Sequence, residues 1–138
     1  MLGHTQVIPL RRRILASDVT ISGRPSATWA VLTDPLWIAQ WFPDVQSLEG
    51  DFRLHRALRA TAVSGDRFSI HVDDMILERR LKLRVHRTSL IVSIEPQGLA
   101  SRQVTFIRRS WGAGAEEVPA PSVLAAKFSS LFDSSDRN

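Results

Sequence analysis

No cysteine and no tyrosine occur among these 138 residues. The first absence excludes disulfides, thiol nucleophiles and cysteine-ligated metals. The second removes a common hydrogen-bonding and acid–base group. Lysine is scarce too: of 18 basic residues only Lys82 and Lys127 are not arginine. No apolar run reaches the ~18 residues that cross a bilayer, so no membrane span is expected. The arginines of the N-terminal segment follow its apolar residues instead of preceding them, which is not the order of a secretory signal. A cytoplasmic location is therefore the default expectation. Also missing are a nucleophile elbow, an HExxH pair, a phosphate loop and a dinucleotide fingerprint. No cofactor or metal is expected, and whether the chain is an enzyme stays open.

What remains is ordinary in bulk. An apolar share of 43% and a charged share of 23% belong to a globular protein with one real core. The expectation is a single domain over residues 1–138, with 1–12 and 133–138 as flexible ends. The net charge of +4 invites a nucleic-acid partner. No motif supports one, and the arginine bias reads as composition, so nucleic acid is not the expected partner.

From Leu15 the chain alternates. Leu15, Ser17, Val19 and Ile21 fall on one side, Ala16, Asp18, Thr20 and Ser22 on the other, the mark of a half-buried strand. Ser22-Gly23 turns the chain, and Pro25 suits the first position of a helix running to about Thr33. Asp34-Pro35 ends that helix and starts another, with Asp34 placed to cap it. Trp37, Ile38, Trp41 and Phe42 share one broad face of this second helix, which Pro43 stops. After a loop through Glu49-Gly50-Asp51, strands are expected from Phe52 to Ala62, from Phe68 to Val72, from Leu77 to Val85, from Leu90 to Ile94 and from Arg102 to Arg109. Ser64-Gly65-Asp66 forms a hairpin turn, and Asp73-Asp74 is expected to break the chain between strands. A loop of small residues, including Gly112-Ala113-Gly114, leads to Leu124, Phe128, Leu131 and Phe132, spaced for one helical face. That helix, about Pro121 to Phe132, would span roughly 16–18 Å.

Pro25, Trp29, Leu32, Thr33, Asp34, Pro35 and Trp41 carry a resemblance. The run from strand and turn through Pro-x-x-x-Trp-x-x-Leu-Thr-Asp-Pro to a short helix ending in Trp resembles the START-like superfamily, also called SRPBCC or birch-pollen-allergen-like. Its bacterial polyketide-cyclase-like and heat-shock-protein-ATPase-activator-like branches are the most similar. The local match spans about 30 residues, and the order of elements agrees beyond it. The resemblance implies an α+β helix-grip fold: a curved antiparallel sheet wrapped around a C-terminal helix, with two short helices after the first strand. Members of the superfamily usually close with a longer helix. A short one implies an open cavity, or cover shared with a second subunit in a homodimer.

A concave sheet and one helix leave an apolar pocket between them, the usual form of a small-molecule site. The expected function is binding of a hydrophobic or amphipathic molecule, lipids included. Alternatives are a polyketide cyclase or aromatase, and a protein-interaction module of chaperone-activator type. Inward parity nominates Phe52, Leu54, Leu58, Phe68, Ile70, Leu81, Leu83, Val92, Val104 and Phe106 as lining, with Leu124 and Phe128 above. Arg56 and Arg108 keep that parity although charged, and Ser17 stands behind them; a guanidinium there needs a carboxylate, a ligand anion or an escape to the rim. The resemblance adds Trp41 as an assisting group. His71 and Asp73 share the outer face, where two groups without a third do not make a metal site. Arg53, His55, Arg59, Arg80, Lys82, Arg84 and His86 form an outward basic stripe without the aromatics of a single-strand nucleic-acid platform.

Overall fold

The computed structural model describes residues 12–42, 44–111 and 118–135. Pro43, the Gly112–Gly114 loop and most of the two ends expected to be flexible lie outside the described residues. The chain runs β1 (Arg12–Ser22), α1 (Pro25–Thr33), α2 (Pro35–Trp41), β2 (Val45–Glu49), β3 (Ala57–Ala62), β4 (Arg67–Ile76), β5 (Arg80–Val85), β6 (Thr88–Gln97), β7 (Ser101–Trp111) and α3 (Pro121–Ser135). The strands form one seven-stranded antiparallel sheet in the order β1-β7-β6-β5-β4-β3-β2. Strands β2 to β7 are a meander, and β1 returns to pair with β7 along its whole length, Arg12 opposite Trp111 and Ser22 opposite Ser101. The sheet curves around the helices, the α+β helix-grip architecture expected above.

The α1–α2 corner forms as its residues dictate. Pro35 cannot continue α1 without a clash, and the Asp34 carboxylate accepts the Leu36 amide at 3.0 Å to open α2. Trp41 then folds back, its indole N–H donating to the Val31 carbonyl at 3.0 Å in a buried bond that ties α2 to α1. In α3 the predicted face is the packed one: Leu124 and Phe128 are fully buried, and Leu131 and Phe132 are half-buried. The helix extends to Ser135, three residues past Phe132. It lies over β1, β7 and α2.

Several strand boundaries differ from the sequence expectation. Residues 45–49, read as loop, are the edge strand β2; a register shift between Val45 and Ser47 disrupts the strict alternation that would mark it. The strand expected from Phe52 begins only at Ala57, because the chain turns at 54–55 with His55 at φ 64°. Asp73-Asp74 does not end a strand. Both residues lie between the Val72–Leu83 and Met75–Leu81 pairs, where Lys82 is the one residue opposite, so β4 passes through a β-bulge and continues to Ile76. The expected strand start at Leu77 falls instead in the β4–β5 turn, with Leu77 exposed.

Candidate functional site

The inner face of the sheet has an apolar middle. Leu58, Ile70, Leu81, Leu83, Val92, Val104 and Phe106 face inward from β3 to β7, and Trp41, Leu124 and Phe128 close over them; all are at most 1% exposed. Among the described residues, side chains so completely covered line no water-sized space. This part of the inner face is packed by side chains, and the packing is aromatic. Trp41 meets Phe106 at 5.9 Å and Phe128 at 6.3 Å between ring centroids. Phe106 and Phe128 stand edge to face at 5.5 Å, and Phe132 continues the stack at 5.0 Å from Phe128. Such tilted and T-shaped pairs suit the ring quadrupoles and add to the burial itself.

The remaining nominated residues lie outside this layer. Phe52 and Phe68 are half-buried and pack against the core, whereas Leu54 and Arg56 sit on the surface of the turn before β3. Trp29 and Val19 also pack against the core from its margin.

Arg108 is different. It continues the inward parity of Val104 and Phe106 on β7, with Leu90 of β6 and Leu15 of β1 directly opposite. Its guanidinium is half-buried, and Nη1 donates to the Val118 carbonyl at 2.8 Å, in the segment leading into α3. A guanidinium carries five N–H donors, and this is its one hydrogen bond among the described residues. Around it the inner face turns polar. Ser110, 4% exposed, follows Arg108 on the same side of β7, and Thr88, fully buried, stands one position beyond the Ser89–Arg109 pair on β6. Ser17 is half-buried opposite Phe106 on β1, beside Leu15 on the same face. Thr88 and Ser110 escaped the sequence reading because the first strand was begun too late, at Leu90, and the second ended too early, at Arg109. Extending the parity of Leu90 by one step backward and of Arg108 by one step forward would have found them.

On the outer face, His71 stands opposite Arg84, and Asp73 and Asp74 at the bulge hold two arginines: Arg84 Nε is 2.8 Å from Asp73 and Arg80 Nη2 is 2.6 Å from Asp74. Part of the expected basic stripe is thus neutralised by its own sheet.

Sheet, helix pair and terminal helix together define the helix-grip fold, the architecture implied by the resemblance of the Trp29–Trp41 segment. No family model and no curated protein matches the chain. Solved structures do. A protein of Mesorhizobium loti is similar over 90% of this chain and 99% of its own, with 15% identity and a TM-score of 0.72. The Aha1 dimer from Colwellia psychrerythraea is similar over 88% of this chain and 95% of its own, with 14% identity and a TM-score of 0.70. Norcoclaurine synthase from Thalictrum flavum, in complex with dopamine and hydroxybenzaldehyde, is similar over 91% of this chain and 88% of its own, with 14% identity and a TM-score of 0.68. At such identities the likeness is one of fold. Among the described residues no helix is long and apolar enough to cross a membrane.

Proposed function

We propose that this domain binds an amphipathic small molecule against the inner face of the sheet, with the polar head of the ligand at Arg108. The observation that carries the reading is that guanidinium: half-buried at the polar end of an inner face whose middle is apolar, flanked by Ser110 and Thr88, and held by a single carbonyl among the described residues. A carboxylate or carbonyl could take the guanidinium's remaining donors as a forked pair. The apolar part of the ligand would lie against Leu83, Val92 and Phe106 and take the place of Phe128 and Phe132 as α3 shifts. The helix is only 15 residues long and covers the β1–β7 side of the sheet, so moving it leaves the rest of the sheet paired. Norcoclaurine synthase, on the same fold, is a protein with two small aromatic ligands in its solved complex.

Thermal-shift screening with matched aromatic and aliphatic acids, alcohols and hydrocarbons tests this. Acids should raise the melting temperature most, and Arg108→Leu should remove the preference for acids while leaving the unliganded protein folded. A flat response across all three series would overturn the reading. A second reading is favoured by the filled centre of the domain: an interaction module of chaperone-activator type, using the outer basic face. Reversing Arg80, Lys82 and Arg84 to glutamate should then abolish capture of the partner, and capture unchanged by that reversal would exclude it. The packing favours no residue for a cyclase or aromatase role beyond Arg108 and Trp41. Turnover lost in Arg108→Ala, with stability unchanged, would be the sign of one.

A further inference from the structure

The outer face of the sheet carries two kinds of arginine. Arg80 and Arg84 on β5 are each tied to an aspartate of the β4 bulge. Arg59 on β3 and Arg67 on β4 are exposed, and neither has a hydrogen bond or ion pair among the described residues. These two are not scattered. Arg59 lies opposite Ser69, and Thr61 lies opposite Arg67, so the arginines occupy one diagonal of a four-residue square and the two hydroxyls the other. Diagonal neighbours across an antiparallel pair are about 7–8 Å apart at the backbone, within joint reach of one small anion for two arginine side chains. The square borders a cleft of about 380 Å³, open on one side, with Glu49 at its edge. Glu49 stands directly opposite Arg59 on β2, yet no ion pair joins them.

We infer that this cleft is a binding site for a phosphate group, free or carried on a larger molecule. Two guanidinium forks match the tetrahedral oxygens of a phosphate dianion, and Thr61 and Ser69 can donate to the oxygens that the forks leave. Glu49 opposes the charge and sets the affinity. The site lies on the outer side of the sheet, away from Arg108, so it is independent of the amphipathic-ligand reading.

Titration calorimetry of the full chain with inorganic phosphate and then pyrophosphate, at low ionic strength, is the test. Saturable binding is expected, weakening as salt rises. Arg59→Ala/Arg67→Ala should weaken it by at least about tenfold, the usual effect of losing a charged hydrogen-bond donor. Glu49→Gln should tighten it, and Arg80→Ala/Arg84→Ala should leave it unchanged. Circular dichroism of each variant confirms that it is folded; all five positions are exposed or half-exposed. Sedimentation with phosphatidic acid vesicles, against phosphatidylcholine vesicles, separates the sources. Sedimentation that depends on Arg59 and Arg67 and exceeds the affinity for pyrophosphate assigns the phosphate to a lipid headgroup, and the reverse order assigns it to a soluble ligand. Absence of saturable binding to either probe overturns the inference. So does an equal loss in the Arg80→Ala/Arg84→Ala variant, which would reduce the effect to net charge.

Discussion

The two faces of this sheet use the same strands for opposite purposes. Leu81 and Leu83 of β5 point inward to complete burial, while Arg80, Lys82 and Arg84, between and beside them, meet solvent. Inside, stability comes from excluding water around Trp41, Phe106 and Phe128, and the loss of any one large ring leaves a hole that the curved sheet cannot close. Outside, charges are held by exposed ion pairs or left uncompensated, and each matters little to folding. The lesson is that the inner face is built for packing and the outer face carries the charges, so a charge with no ion pair among the described residues means more on the inner face, where Arg108 is, than an ion pair does on the outer.

Mutations can sharpen that contrast or break it. The largest loss should follow Phe128→Ala, about 3–5 kcal/mol by the usual cost of emptying an aromatic core site, read from urea denaturation. A loss of less than about 1 kcal/mol would mean that α3 is loosely held and would strengthen the case for its displacement by a ligand. Next comes Asp34→Ala, which removes the α2 cap and should cost about 1 kcal/mol, measured the same way. Smallest is the outer face: a double-mutant cycle on Asp73 and Arg84 should give a coupling of about 1 kcal/mol or less, shrinking with added salt. A coupling as large as the Phe128 effect would erase the distinction between the faces.

Much of this was legible in the sequence. The β1 alternation, the Pro25 and Pro35 helix starts, the Asp34 cap and the Leu124–Phe132 face are local rules, each readable from residues within or beside one element. What was not legible depended on partners distant in sequence. Strand β2 exists because α2 and β3 flank it, and its bulge hides its period. The turn at His55 puts a non-glycine residue in the left-handed region, held there by the His55 amide donating to the Val72 carbonyl at 2.7 Å. For the site, parity placed Arg108 on the inner face. It could not say that rings would fill the space beside it, because filling depends on how Trp41, Phe106 and Phe128 meet across three separate elements.

The bulge in β4 has an evolutionary reading. Because Asp73 and Asp74 share a single opposite number, Lys82, this strand carries one spare link, and its length can change by one at that point without inverting what comes after. Deleting Asp73 should keep Val72 and Met75 both turned inward and yield a folded protein. The same deletion two residues earlier, at His71, would throw Ile70 and Val72 out of phase and put Asp73 or Ser69 where the oil should be.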